Sequence, residues 1–258
     1  MAPLKSSPPE AAPPLDAEKI PLRRALLTPD SKSRYVRSLF ATIADRYDFI
    51  TVALSYGQDR GWKRRLVALA QPAAGRRALD LATGTGDIAY ALASSGARVV
   101  GLDITHRMIE LAMGKAGERA GSCSFLVGDM IALPFPDRSF DLVTTGYGLR
   151  NVPDLAVAVD EIARVLTPGG LALSLDFNRP ANGLVRQAYL LYLTVVGGVL
   201  GWILHGDPDT YRYIAASIRR YPGAEAVGRM MEVRGFTEVT CLPVLGGLMA
   251  IHRARKSG

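Results

Sequence analysis

The chain has 258 residues, enough for one α/β domain with additions and a full buried core. Hydrophobic residues make up 48% and the mean hydropathy is +0.13, which is greasy for a soluble enzyme, while the net charge of +7 suits nucleic acid, an anionic membrane surface or a plain solvated surface equally. The two cysteines, Cys123 and Cys241, stand in apolar strand patterns and read as buried free thiols, which excludes a disulfide framework and a cysteine-built metal site.

The start, MAPLKSSPPEAAPPL, lacks the apolar run of a secretory signal. Residues 1–28 are rich in Pro, Ala and Ser and are expected to form a disordered arm, leaving residues 29–258 as one domain. From Ser33 to Ala70 the pattern turns helical, with Leu39, Phe40, Ile43, Tyr47 and Ile50 at helical spacings and GWKRRLVALA after a Tyr-Gly break. Because residues 29–70 precede the first strand, they are expected to fold over the sheet edge as a helical lid.

An alternating core follows. Strands are expected at 77–82, 98–103, 124–129, 140–145 and 171–177, with helices at 86–95, 105–116 and 154–166. The run Thr167-Pro168-Gly169-Gly170 is expected to end the last helix and open the fifth strand. Such alternation means a parallel sheet covered on both faces. Past Asn178 the register changes. Residues 181–222 read as a helical insertion, followed by a helix over 224–234. Two closing strands, 237–243 and 248–253, turn at Gly246-Gly247 and place an antiparallel hairpin on the parallel sheet.

The uncharged stretch from Ala188 to Leu204 is close to the lower limit of the roughly 20 apolar residues a membrane span needs. Gly197, Gly198 and Gly201 weaken a lone helix, and a span would pull the closing strands from their sheet. The stretch therefore reads as a surface or channel-lining helix pair, with an ordinary buried helix as the plain alternative.

Residues 78–87 read ALDLATGTGD, and Asp103 closes the next strand in ARVVGLD. A strand, a glycine-rich turn, a helix, a second strand and then an acid bind an adenosine-bearing cofactor at the carboxyl edge of a parallel sheet. Gly84 and Gly86 let the backbone approach the ligand, and Asp103 can accept from both ribose hydroxyls. The spacing also fits a dinucleotide fingerprint. Asp80, inside the first strand, and Asp87, at the helix start, favour S-adenosylmethionine (SAM), because a carboxylate suits its cationic ammonium and sulfonium and repels a pyrophosphate. The plain reading of both acids is capping of the turn and the helix. The fold class that follows is α/β, the class I SAM-dependent methyltransferase layout: a Rossmann-like, mostly parallel seven-stranded sheet with a C-terminal antiparallel hairpin and a helical lid.

Five segments occur in order: RYDFITVALSYGQDRGWKRRLV (46–67), LDLATGTGD (79–87), ALPFPDRSFDLVTTGYGLRNVPD (132–154), RVLTPGGLALSLDF (164–177) and DTYRYIAASIRRYP (209–222). Together they resemble the C-methyltransferases of menaquinone and ubiquinone biosynthesis, from about Ser33 to Arg255. GLRNV and the YRYIAASI helix carry more of the resemblance than the widely shared glycine turn. It implies a polyprenylated quinol as substrate, either demethylmenaquinol or a polyprenyl methoxy-benzoquinol, with the former favoured. It also implies that Thr85 and Asp103 bind SAM, and that Asp129 and Met130 hold the adenine. Gly146 stands where many members carry Ser, and Tyr147 replaces a usual Phe and adds a hydroxyl to the site.

Methyl transfer to a quinol ring carbon requires a phenolate held about 3–3.5 Å from the methyl. Arg150, past the fourth strand, is the candidate to stabilise that phenolate or to orient a proton-accepting water, with Asn151 positioning the water. The plain alternative is that Arg150 pairs with Asp176. Arginine is not itself a base, so the proton acceptor is a water or an unidentified residue. His106, His205 and His252 read as structural, and Tyr211, Arg212 and Tyr213 either wall the acceptor pocket or form a packing face.

A polyprenyl tail stays in the bilayer, so peripheral contact with the inner membrane face from a cytoplasmic location is expected. No nucleic-acid partner is expected, because GYGLRN lacks a Pro-Pro-aromatic turn and no aromatic-basic patch stands out. Self-association stays open. A nicotinamide-dependent oxidoreductase fits the glycine spacing but not Asp80 or the hairpin, and a quinone-binding scaffold that keeps SAM as a structural ligand also stays open.

Overall fold

The computed structural model describes residues 21–55, 57–115 and 123–258. Four helices come first: α1 (Leu22–Ala25), α2 (Pro29–Ile43), α3 (Tyr47–Leu54) and α4 (Asp59–Ala70). The alternating core is β1 (Arg77–Leu81), α5 (Asp87–Ala93), β2 (Arg98–Asp103), α6 (His106–Gly114), β3 (Cys123–Val127), β4 (Phe140–Gly146), α7 (Leu155–Val165) and β5 (Leu166–Phe177). Then come α8 (Gly183–His205), α9 (Asp209–Arg220), α10 (Ala224–Val233), β6 (Phe236–Val244) and β7 (Met249–Lys256).

The seven strands run in the order β3-β2-β1-β4-β5-β7-β6. The first five are parallel, and β7 lies antiparallel between β5 and β6. The chain leaves β1 for β2 on one side and returns as β4 on the other. That reversal opens a crevice at the carboxyl ends of β1 and β4, where ligands of such sheets bind. β1 is buried at every position after Arg77, as a parallel strand covered on both faces must be. One core layer packs Leu79, Leu81 and Val143 against Ile162 of α7 and Val227 of α10. The other packs Ala78, Leu142 and Leu173 against Leu66 of α4 and Leu92 of α5.

Four expectations need correction. The Thr-Pro-Gly-Gly run does not sit between α7 and a strand opening at Leu171. β5 starts at Leu166, paired with Phe140, and a register shift before Leu142↔Leu171 absorbs the run as a bulge, with Gly169 at φ 76°. Residues 1–20 lie outside the described residues, but Pro21–Thr28 are packed: Arg220 donates to the Leu26 carbonyl, and Thr28 caps α2 in a capping box with Ser31. Cys241 is exposed and Cys123 only half-buried, because β6 is an edge strand and Cys123 opens the other edge strand, β3.

The apolar stretch is one continuous 23-residue helix, α8, and not a pair. Its glycines explain why. A Cβ on Gly197 would meet the Tyr211 carbonyl at 3.0 Å, and one on Gly201 would meet the Asp207 carbonyl at 2.5 Å. The three glycines let α9 lie directly on α8, and that packing offsets their low helix propensity of about 1 kcal/mol each. Among the described residues α8 is the one helix long and apolar enough to cross a membrane. Leu190 and Leu193 face a small core with Ala215 and Ile218 of α9, while Leu191, Val195, Trp202 and Ile203 lie exposed on the other side.

Candidate active site

The glycine turn after β1 and the acid after β2 meet as the motif requires. Gly84 has φ 55°, and its N–H donates to Asp103 Oδ2 at 2.9 Å, while Thr105 N–H donates to Oδ1 at 2.8 Å. Burial pushes the Asp103 carboxyl upward against these two backbone donors. Further donors, such as the two hydroxyls of a ribose, would stabilise its ionised form. Gly84, Leu102, Asp103, Ile104, Met108, Asp129 and Met130 line one cavity at the carboxyl edge. Asp129 Oδ1 accepts from Ile131 N–H at 3.1 Å, which fixes the loop after β3 with Met130 buried against the cavity.

Three of the residues assigned to the cofactor do not line this cavity. Asp80 is fully buried beneath the turn, with Oδ2 accepting from Thr83 at 2.6 Å and Oδ1 from Thr144 at 2.7 Å. Burial raises its pKa to about 6, although the two hydroxyls and the charge of Lys63 pull the other way. Its influence on a bound cation is therefore through space. Thr85 donates to Asp48 Oδ1 at 2.6 Å and accepts from Lys115, tying the turn to α3 and not to the cavity. Gly86, at φ 86°, is the N-cap of α5, where a Cβ would meet the Tyr90 ring at 2.9 Å, so its role is steric.

α2 and α3 lie across this edge. Ser33, Val36, Phe40 and Tyr47 line the cofactor-side cavity, and Lys32 donates to the carbonyls of Arg150 and Val152. Arg107 pairs with Asp45, and Lys115 with Asp48. With these helices in place the enclosed space is about 70 Å³. Ligand pockets hold roughly 300–1,000 Å³, so this space is smaller than an adenosine cofactor fills. The donor set fits such a group: a buried acid for the ribose, an acid and a Met for the base, and a glycine turn open to the remainder.

A second cavity of about 560 Å³ adjoins the first. Its wall is mainly apolar, from Leu39, Ile43, Ile50, Leu54, Phe177 and Leu193, among others, with Tyr189, Tyr192 and Tyr213 bringing hydroxyls from α8 and α9. Phe40, Tyr47 and Tyr147 line both cavities and mark where they meet.

Arg150 and Asn151 sit in a single helical turn, Leu149–Asn151, just past β4. Arg150 lines the second cavity and Asn151 the first. Arg150 is buried, with Nε 3.1 Å from Asp176 Oδ1 as a charge contact out of line for a hydrogen bond. Its Nη1 donates to Asn151 Oδ1 at 2.9 Å and to Ser217 Oγ at 3.1 Å, and its guanidinium stacks 4.8 Å from the centre of the Phe177 ring. Asn151 Oδ1 also accepts from Tyr213 OH at 3.1 Å, and its Nδ2 donates to the Tyr147 carbonyl. The pairing with Asp176 is thus present, and the pair stands in the wall of a cavity. Tyr211 and Tyr213 both line the second cavity, and Tyr211 also bonds to His205 Nε2 at 2.9 Å. His252 is buried between Ser174 and the Ala224 carbonyl, and His106 pairs with Glu110 on the surface.

Sequence reasoning missed Asp59. It is buried at the start of α4 and accepts from Tyr147 OH at 2.6 Å. As the second of two polar residues after a Tyr-Gly break it reads as an ordinary helix-start acid, and no local signal sets it apart.

The ubiE/COQ5 methyltransferase family model matches residues 28–256. A demethylmenaquinone methyltransferase of Roseiflexus castenholzii is 40% identical over 89% of this chain and 97% of its own length. A ubiquinone/menaquinone biosynthesis C-methyltransferase UbiE of Shewanella sp. is 37% identical over 88% and 92%. Among solved structures, the putative methyltransferase complexed with the Trm112 activator of Haloferax volcanii has a TM-score of 0.61 at 19% identity, covering 85% of this chain and 98% of that one. The [4+2]-cyclase SpnF reaches 0.58 at 18% identity, covering 89% and 96%. One fold thus carries unrelated chemistries, and it is the sequence relatives that decide the activity. At this coverage and identity the chain belongs to the ubiE/COQ5 methyltransferase family, and it is a SAM-dependent methyltransferase.

Proposed function

We propose that the chain methylates a ring carbon of a polyprenylated quinol, with demethylmenaquinol as the first substrate and a polyprenyl methoxy-benzoquinol as the second. The observation that carries this reading is the meeting of a cofactor-side cavity with a large apolar one at Phe40, Tyr47 and Tyr147. SAM, when bound, supplies an electrophilic methyl. The chain's residues hold the ring: Phe177 and Tyr147, 5.7 Å apart, offer aromatic faces at the junction. Arg150 lines the same wall, and its Nη2 has no hydrogen-bond partner among the described residues, so it is available to a ring oxygen. Asp176 Oδ1 lies 3.1 Å from its Nε, which makes Arg150 an orienting donor more than a free cation.

α8 lines the apolar cavity with Val185, Ala188, Tyr189, Tyr192 and Leu193 and turns Leu191 and Trp202 outward. This supports peripheral docking on the inner face of a membrane, where the prenyl tail would run along α8 into the bilayer. A Leu191→Glu, Trp202→Glu variant is expected to stop co-sedimenting with anionic vesicles while keeping SAM affinity; unchanged sedimentation overturns the docking. The acceptor is tested with methyl-labelled SAM and detergent-solubilised demethylmenaquinol, anaerobic and reduced, beside a tube of the methoxy-benzoquinol. Label is expected in the extracted lipid, more in the naphthoquinol tube. Label in neither tube, with SAM still bound, rejects the quinol acceptor.

A further inference from the structure

Tyr147 is held in an unusual way. Its φ is 62°, a left-handed conformation that a bulky residue adopts only where its surroundings impose it. Its N–H donates to the Leu175 carbonyl at 2.7 Å and its carbonyl accepts from Asn151 Nδ2 at 2.8 Å, so β5 and the turn after β4 fix the backbone. The side chain then reaches the junction of the two cavities and donates its hydroxyl to Asp59 Oδ1. From Asp59 a chain of close contacts leads outward. Asp59 Oδ2 lies 2.7 Å from Lys63 Nζ, and the same Nζ lies 3.0 Å from Asp87 Oδ2, on a side chain that is 42% exposed. The charged and titratable groups facing Tyr147 are Asp59 and Lys63 from α4, Tyr47 from α3 and Asp176 from β5.

We propose that Tyr147 and Asp59 form the proton acceptor for the ring hydroxyl of the substrate, with Lys63 and Asp87 as its connection to solvent. This rests on the quinol reading above. The hydroxyl O–H bond breaks and its proton bonds to Tyr147 Oη, while the tyrosine's own proton passes to Asp59 Oδ1. The electron pair stays on the ring oxygen, and the phenolate so formed is the nucleophile at the neighbouring carbon. After methylation that carbon gives up its hydrogen as a proton to water, and the ring oxygen takes one back. Asp59 then loses its proton along Lys63 and Asp87, each accepting one proton as it releases another. Burial raises the Tyr147 hydroxyl well above its usual range, which keeps it neutral and able to donate and accept together. Arg150 offers no such path, since it cannot release a proton.

The test compares wild type with Tyr147→Phe and Asp59→Asn. At pH 7 both variants are expected to lose about 10²-fold or more in kcat, the usual worth of a positioned base. Between pH 7 and 9 their rates are expected to rise about tenfold per unit, as the acceptor ionises on its own with a phenol pKa near 10, while wild type stays nearly flat. SAM affinity should not change. A second readout needs no turnover: wild type is expected to bind 1-naphthol about fivefold tighter than its methyl ether through the Tyr147 oxygen, a preference that Tyr147→Phe abolishes. Variants with wild-type kcat and pH profile, or an unchanged naphthol preference in Tyr147→Phe, overturn the assignment. Quinol methylation by wild type with unaffected variants sinks the relay alone. Absence of methylation by wild type rejects the quinol reading, and the relay with it.

Discussion

Arg150 Nε lies 3.1 Å from Asp176 Oδ1, with both side chains buried, so the arginine is as much a structural partner as a site residue. Removing one member of a buried ion pair leaves the other uncompensated, at about 3–5 kcal/mol. Arg150→Ala is therefore expected to lose turnover and also to unfold at lower denaturant. Arg150→Met combined with Asp176→Asn, whose amide oxygen still accepts one of the backbone N–H groups of Arg150 and Phe177, is expected to recover part of the stability and none of the turnover. Urea melts beside turnover assays separate the two roles, and turnover by the double variant would remove Arg150 from the chemistry.

Asp103 anchors the cofactor side of the site. Asp103→Ala removes the expected ribose acceptor and strands the N–H groups of Gly84 and Thr105. Calorimetry is expected to show no SAM binding, whereas Thr85→Val, which breaks the ties to Asp48 and Lys115, should weaken binding by less than tenfold, about 1.4 kcal/mol. Equal losses would mean that the lid contact, and not the acid, holds the cofactor.

The pH dependence follows from Asp80. Its folded pKa of about 6 lies above the ordinary 3.8, so the native state favours the protonated acid. That stabilisation is full below about pH 3.8 and is lost as pH rises through 6, an amount of roughly 3 kcal/mol by pH 7. Asp80→Asn is expected to flatten this part of the stability profile and to make the cofactor-free protein more stable at pH 7. A cationic cofactor pulls the other way, so SAM affinity should fall below pH 6 in wild type and become pH-independent over that range in Asp80→Asn. Parallel affinity profiles for the two proteins would show that Asp80 acts only on the fold.

The seam between α8 and α9 depends on Gly201, where a Cβ would lie 2.5 Å from the Asp207 carbonyl. That atom is backbone and cannot swing aside. Gly201→Ala is expected to cost about 1–3 kcal/mol and to raise KM for the lipid acceptor without changing SAM affinity, because both helices wall the apolar cavity. Thermal melts and steady-state kinetics check this, and an unchanged KM would separate the seam from acceptor binding.

The sheet was legible because its strands obey local rules: continuous burial in β1, the glycine turn, the acid ending β2 and the alternation of periods. Strand edges were less so at Thr167–Gly170, where a bulge kept the ladder going through residues that end strands elsewhere. The single helix α8 was misread because its glycines look like breakers until α9 is known to lie on them. Within the site, Asp103 and Arg150 were read from their places after successive strands, and Asp129 and Met130 from the family resemblance. Asp59 was not, since its meaning comes from Tyr147, far along the chain, and no spacing rule connects α4 to the end of β4. Asp80 was found for its chemistry, but its hydroxyl partners Thr83 and Thr144 hold it beneath the turn and away from the cavity wall.

The most direct measurement is a structure of the protein with S-adenosylhomocysteine and the quinone form of the unmethylated acceptor. The ring is expected at the junction of the two cavities, against Tyr147 and Phe177, with an oxygen in hydrogen-bond reach of Tyr147 Oη and the tail leaving along α8. A ring bound outside the apolar cavity, or a tail running away from α8, would contradict the assignment of that cavity to the acceptor.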